Sequence, residues 1–398
     1  MFRVLTNNPF ALKGNLLSSL RSRLKKDERV IAENDWHARR RPIGCGLTIH
    51  PAVGCPLQCS YCYIYDMGFS PYAVPYSLSG LQLIYALLSN RYFIPSRWGT
   101  YLAFGSVTEP LLPNVVGKTL EYLESICEYL GNPCQISTKL VISRELIDKL
   151  LGIKNLKLSI LITVTSLRQF RYLEDKAPDP YRRIEAIRAL NKSGFKVFIF
   201  LRPLLPGLTL DEVDEITSLA KEVGACGIVV GNFRLSRGII ERMVKKGFKI
   251  EDLKRVIDVN LIKKGFIDVR VNGELLSNIR KIVLSKGLIF LKRACCANTV
   301  SQYLSGLSDA ICPSLCFLHK DACDPSCPSR CALKAVGEPK HVDVNSVIKS
   351  VLNREDYKVN VNKHVIELKV YGKVDDVKQA TFILSYLLRR RVIIRSVG

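Results

Sequence analysis

LTIHPAVGCPLQCSYCY, residues 47–63, joins a short apolar run to a loop that carries Cys55, Cys59 and Cys62 in the pattern C-x3-C-x2-C. Leu47–His50 reads as a strand, and Gly54 and Pro56 break the regular chain after it, so the cysteines fall in a loop rather than on a helix face. Working outward, similar runs recur at Tyr101–Phe104, Cys134–Ser137, Leu156–Leu161, Val197–Leu201 and Cys226–Val230. Amphipathic stretches near 76–90, 116–130, 143–150, 181–193, 211–223 and 236–246 predict helices between and after them. Strands covered by helices on a parallel sheet read as nearly continuous apolar runs, as these do. The alternation predicts an α/β fold, a partial (β/α)6 barrel of TIM type, in which ligand groups gather at the C-terminal ends of the strands.

Four regions follow from composition. Residues 1–43 form a basic N-terminal arm, with Arg21, Arg23, Lys25, Lys26 and Arg29, then Arg39, Arg40 and Arg41; Leu16, Leu17, Leu20 and Leu24 give it a helical apolar face. The partial barrel covers 44–240, a cysteine-rich region 241–335, and a small basic α+β module 336–398. In that module HVIELKVYG is strand-like, DDVKQATFILSYLLRR helical and VIIRSV strand-like. The helix places Val377, Ala380, Ile383, Leu384, Leu387 and Leu388 on one stripe.

With 59 Lys and Arg against 36 Asp and Glu, the net charge of +23 favours a polyanionic partner, nucleic acid first. An apolar content of 47% indicates a folded globule rather than a disordered binder. The N-terminus has no apolar run followed by a small-residue cleavage site, and no apolar stretch reaches membrane-spanning length. A cytoplasmic location is expected, and the 14 cysteines are then metal ligands, thiols or core residues rather than a secreted disulfide scaffold.

Three cysteines this close can hold one iron–sulfur cluster, and leave one iron of a 4Fe–4S cube without a protein ligand. An unfilled coordination position is what a substrate-binding metal needs. Zinc is the alternative, with Cys45 or His50 as a fourth ligand. C-x3-C-x2-C with Tyr61 before the last cysteine resembles the signature of the radical S-adenosylmethionine (SAM) superfamily. The resemblance implies a 4Fe–4S cluster on Cys55, Cys59 and Cys62, and SAM chelated to the open iron. It also implies a one-electron donor such as ferredoxin or flavodoxin, and reductive cleavage to a 5′-deoxyadenosyl radical that abstracts hydrogen from substrate.

Later segments resemble the branch that includes spore photoproduct lyase, which repairs a thymine dimer in spore DNA. They are GSVTEPLLP at Gly105–Pro113, QISTKLVISRELIDKL with Glu145 where that branch commonly has Asp, and SILITVTSLRQFRYLEDKAPDPYRRIEAIRALNKSGFKVFIFLRPLLPG with Glu174-Asp175 in place of Glu-Pro. The likeness spans about residues 46–235. It implies lyase-like repair or modification of nucleic acid. A radical SAM enzyme acting on a protein, peptide or metabolite is the alternative, followed by a non-enzymatic metal-containing nucleic-acid-binding protein. Spore photoproduct lyase returns hydrogen from a cysteine just downstream of its cluster motif, whereas this chain has no cysteine from Tyr63 to Ile126.

Site roles can be assigned on this basis. Tyr61, Gly105, Glu109, Ser159, Arg202 and Asn232 are the candidate SAM contacts, Glu109 toward the amino group or ribose and Arg202 toward the carboxylate. A salt bridge from Arg202 to Glu174 or Asp175 is the competing role. Lys139 would meet the SAM carboxylate or a substrate phosphate, and Cys134 and Cys226 are candidate hydrogen donors. Asp179 and Pro180 signal a helix N-terminus, with Arg183 either in a family role or in a surface ion pair. Beyond the resemblance lie Cys295, Cys296, Cys312, Cys316, Cys323, Cys327 and Cys331, read as ligands of a second 4Fe–4S cluster, with zinc and His319 as the alternative. Arg389, Arg390 and Arg391 at a helix-to-strand junction are candidate phosphate contacts.

Overall fold

The computed structural model describes residues 9–42, 46–97, 99–205, 210–248, 265–269, 273–307, 312, 323–329, 331, 343–362 and 365–397. Cys45, Cys316, His319 and Lys363 lie outside them. Its centre is a seven-stranded sheet of β1 (Leu47–Ile49), β2 (Leu102–Phe104), β3 (Cys134–Thr138), β4 (Leu158–Thr163), β5 (Lys196–Leu201), β6 (Gly227–Val230) and β7 (Ile289–Leu291). The strands lie in chain order, and every neighbouring pair is parallel. The six expected strands are all present. A seventh, β7, pairs with β6 and carries the sheet past residue 240. Its short run, IFL, gives little periodicity from which to read a strand.

Strand residues alternate between two covers. Ile136, Ile160, Ile162, Ile199 and Ile228 point to the outer layer, where Leu83, Tyr122, Ile147, Ile187 and Ile216 of the flanking helices bury them. Leu161, Phe198, Val229 and Leu291 point to the inner face and pack on Ala297 and Val300 of the helix Ala294–Leu304. The N-terminal arm is helical over Pro9–Arg23, Lys26–Asn34 and Trp36–Arg39, and Leu20, Leu24, Ala32 and Ala38 join the outer core.

The C-terminal module has its own apolar core under a three-stranded sheet. Tyr357–Val361 and Val365–Tyr371 pair antiparallel, and Arg391–Val397 joins the latter in parallel. Helices Val344–Leu352 and Val377–Leu388 complete it. Ile94 packs with Ile383 and Tyr386 where the module meets the barrel, and the Tyr386 hydroxyl donates to the Gly99 carbonyl. The expected arginine triplet is split here. Arg390 is turned inward at 2% exposure and Arg389 lies over the Tyr386 ring, leaving Arg391 exposed. Arg389 ends the helix in the left-handed region at φ +55° and only Arg391 lies in the strand, so the run turns through the junction and presents no continuous row of charges.

Candidate active site

Cys55, Cys59 and Cys62 occupy the loop that leaves the C-terminal end of β1. Gly54 sits at φ +81°, and a Cβ there would fall 2.2 Å from the Tyr72 carbonyl oxygen, so the approach to the loop requires glycine. The Cys55 N–H donates to the Ser70 carbonyl at 3.1 Å, Tyr65 Oη donates to the Cys55 carbonyl at 2.9 Å, and Cys62 N–H closes a turn onto Cys59 O at 3.0 Å. The three thiols are outside any disulfide and pack in one cluster with Leu57, Tyr61, Val107 and Leu173. Burial raises the pKa of all three, and repulsion from neighbouring thiols adds to the effect at Cys55 and Cys59.

Tyr61 ties this loop to the rest of the barrel mouth. Its hydroxyl donates to Glu174 Oε1 and lies 3.1 Å from Thr165 Oγ1. Glu174 is fully buried and receives Arg183 Nη2 on its other oxygen at 2.7 Å, while Arg183 Nη1 holds the Thr163 carbonyl at 2.7 Å. Burial pushes the Glu174 pKa up, but Arg183, Lys139 and the hydrogen bonds from Tyr61 and Arg183 outweigh it and hold the carboxyl below its ordinary range. Arg183 is therefore not in a surface ion pair: its side chain is 0% exposed.

Lys139 follows β3 and sets its ammonium 5.6 Å from the centroid of the Tyr61 ring. Burial opposes its charge, yet Cys59, Glu174, Cys62 and Glu109 together keep it protonated above the ordinary lysine range. Glu109 accepts from Thr138 Oγ1 at 2.6 Å, the Lys139 N–H at 2.9 Å and the Leu111 N–H at 3.3 Å, which pins the exit of β3. Its pKa is raised by burial, against the pull of those hydrogen bonds. Gly105, at φ +96°, lets the loop after β2 press on β3: a Cβ would lie 2.3 Å from the Ser137 carbonyl oxygen.

Arg202 is exposed at the end of β5, its guanidinium 5.8 Å from the Phe200 ring centroid. The anticipated salt bridge is absent among the described residues, because Glu174 is taken by Arg183 and Asp175 by Lys246. Gly231 lies against the Arg202 stem, where a Cβ would come within 2.5 Å, and Asn232 beside it is exposed. Three contacts were not expected from the sequence. Arg242 Nη2 donates to the Cys62 carbonyl at 2.8 Å, Tyr63 Oη donates to the Ser106 carbonyl at 3.0 Å, and Arg234 covers the Tyr63 ring at 5.5 Å.

Other expected residues stand apart. Ser159 Oγ accepts from Gln135 Nε2 at 2.8 Å and Asn298 Nδ2 at 3.3 Å, in a buried network beneath the helix Ala294–Leu304. Cys134 alternates with Gln135 along β3 and so packs in the outer core, while Cys226 lies on the inner face beside Cys296 and Cys327. Neither belongs to the cluster around the triplet.

The donor set fits an iron–sulfur cluster. Two buried thiols and a partly buried third share one loop, and Ser60 Oγ, Ser106 Oγ and Thr108 Oγ1 around them are buried with no hydrogen-bond partner among the described residues. Among those residues no three His, Cys, Asp or Glu side chains converge on a point where a single ion would sit. A cube of irons takes its thiolates one per iron, so they surround a body a few ångströms across rather than meeting at one ion. Beside the loop an open cleft of about 810 Å³ is lined by residues including Pro56, Leu112, Val141, Lys176 and Arg182.

Among known proteins, an uncharacterized protein, ORF301, of Acidianus two-tailed virus is 24% identical over 234 residues, covering 53% of this chain and 76% of that protein. The structure of spore photoproduct lyase complexed with dinucleoside spore photoproduct is 15% identical with a TM-score of 0.44, covering 60% of this chain and 72% of that one. Streptococcus suis SuiB bound to S-adenosylmethionine is 15% identical with a TM-score of 0.41, covering 65% and 52%. Residues 49–220, from the end of β1 into the helix that follows β5, match the radical SAM superfamily. That match marks the cysteine loop and strands β2 to β5 as a radical SAM domain.

Proposed function

We propose that Cys55, Cys59 and Cys62 hold a 4Fe–4S cluster that binds SAM, and that the radical chemistry acts on nucleic acid. The observation that carries the chemistry is the meeting of two buried thiols, a partly buried third and one partly buried cation, Lys139, at the C-terminal mouth of a parallel sheet. When bound, the cluster supplies the electron, received from a donor of the ferredoxin or flavodoxin class, that cleaves SAM reductively.

The chain's own residues position and shield. The Tyr61–Glu174–Arg183 connection fixes the cysteine loop against the helix Pro180–Lys192. Lys139 offsets the negative charge that three thiolates would bring into a buried loop. Arg202 presents a planar fork at the mouth, suited to a carboxylate or phosphate. Phe198 and Phe200 line the inner face beneath it and keep water from a reactive centre. For the substrate, support comes from the charge of +23 and from the exposed Arg168, Arg171, Lys176, Arg182 and Arg234 on the loops and helix starts around the mouth.

The test is anaerobic reduction with SAM and separate DNA, RNA and protein fractions, following 5′-deoxyadenosine by mass spectrometry. Cleavage enhanced by nucleic acid, and lost to background in Cys59→Ala, is the expected result. Enhancement by protein alone would overturn the substrate assignment. Absence of 5′-deoxyadenosine under every condition would overturn the chemistry. Nucleic-acid affinity should also fall steeply with added salt, and a flat salt response would count against an electrostatic grip.

A further inference from the structure

Six cysteines outside the triplet come together in the fold although they are spread over residues 295–331. Cys295 and Cys296 lie in the first turn of the helix Ala294–Leu304 on the inner face of the sheet. Cys312 reaches back to them: its Sγ is 3.9 Å from Cys295 Sγ, and its N–H donates to Cys331 Sγ at 3.3 Å. Cys295, Cys312 and Cys331 are 0%, 2% and 6% exposed, and share a buried cluster with Tyr101 and the partly buried Cys323. Cys296 hydrogen-bonds within the same group, and Cys327 packs beside it against Cys226 and Ile289.

Ordinary core packing does not gather thiols this way. A core cysteine behaves as a small apolar side chain and has no reason to seek others of its kind. Disulfide bonding does not account for the Cys295–Cys312 contact, because 3.9 Å is far beyond the S–S bond length of about 2.05 Å. The described side chains do not converge on one point as a mononuclear site requires. A polynuclear cluster spreads its ligands over several irons.

We infer that Cys295, Cys296, Cys312, Cys323, Cys327 and Cys331 supply the ligands of a second iron–sulfur cluster, separate from the triplet and enclosed by protein. Its walls come from three parts of the chain. The helix Ala294–Leu304 supplies one, Tyr101 and Ala103 at the start of β2 supply another, and Tyr386 of the C-terminal module stands close enough for Cys312 and Cys295 to act on it. With six thiols for about four irons the centre can be fully ligated, as suits electron relay or a clasp between module and barrel rather than substrate activation.

The test uses the full chain carrying Cys55→Ala, Cys59→Ala and Cys62→Ala, reconstituted anaerobically with iron and sulfide, and analysed for iron, sulfide and zinc. The expected result is about four irons and matching sulfide per chain, with the electron paramagnetic resonance signal of a reduced cluster. No retained metal, or one zinc without iron, would overturn the inference; loss of metal in this variant alone leaves the triplet reading intact. In the otherwise native chain, replacing Cys295, Cys312, Cys323 and Cys331 by Ser leaves two of the six thiols, too few to hold the cluster, and should lower iron by about half. Iron unchanged there overturns the assignment of these ligands, and the triplet variant decides independently if this fourfold variant fails to fold.

Discussion

The two cysteine groups of this protein are built in opposite ways. The triplet is contributed by eight residues of one loop, whereas the second group is assembled from a helix and the stretch that follows it. Around the triplet stand charges: Lys139, Glu109, Glu174 and Arg183, with Arg202 and Arg234 open to solvent. Around the second stand Tyr101, Ala103, Phe198 and Leu291, with neutral amides and hydroxyls bonded to each other, and the charge in its Cys323–Cys327 stretch, Asp324, is already paired with Arg280 at 2.9 Å. A centre that binds a charged cosubstrate needs fixed charges and an entrance. A centre that passes electrons or joins elements needs neither.

The largest effect on this contrast should come from Arg183. Its ion pair with Glu174 is sealed from water, so removing one partner leaves an uncompensated buried charge, a loss of about 3–5 kcal/mol. Arg183→Met should lose that much in denaturant unfolding, while Arg183→Met with Glu174→Gln should recover most of it. An equal loss in both would show that packing, not charge, is what the pair supplies. The pH dependence follows the same group. The Glu174 carboxyl is depressed in the folded state, so its contribution is fully present above the unfolded glutamate pKa of about 4.3 and is lost as pH falls through the lower folded value. Native protein should therefore lose stability over that acid window, and Glu174→Gln should lose less.

The origin of that pair shows what a sequence carries and what it hides. The helix start was legible from Asp179-Pro180, but the burial of Arg183 was missed: a charged residue was read as a family contact or a surface ion pair although 183, 187 and 190 repeat at helical spacing. Its partner was legible only in part: Glu174 was considered for Arg202, nine residues being too short a separation to suggest a buried pair across two elements. The six expected strands were readable because doubly covered strands are apolar throughout. Contacts such as Arg242 to the Cys62 carbonyl join residues 180 apart, and no local pattern announces them. Ser159 was taken as a SAM contact, but periodicity gives the face of a strand and not the height along it. Its hydroxyl faces inward, yet sits near the β4 N-terminus, bonded to Gln135 and Asn298.

That position supplies an intermediate test. Ser159 Oγ is one acceptor for two buried amides, so Ser159→Ala leaves each with one bond fewer, Gln135 keeping the Ala294 carbonyl and Asn298 the Cys134 carbonyl. The expected loss is about 1–3 kcal/mol of stability, with SAM affinity unchanged in equilibrium binding. A weakened SAM affinity with unchanged stability would move the cosubstrate down to this layer and erase the distinction between the two regions.

The smallest expected effect lies where the second group meets the C-terminal module. Tyr386 is buried, donates to the Gly99 carbonyl and packs on Ile94, so its hydroxyl is one tie among several at that contact. Tyr386→Phe keeps the ring and removes one neutral hydrogen bond, a change of about 0.5–1.5 kcal/mol. Since the carbonyl of Gly99 would remain buried without this donor, the loss should sit toward the upper part of that range. Protease sensitivity of the module should rise modestly, while metal content and SAM cleavage stay as in the native chain. If SAM cleavage fell along with module docking, the two cysteine regions would be coupled through the barrel, and the enclosed centre would be part of the electron path rather than a clasp.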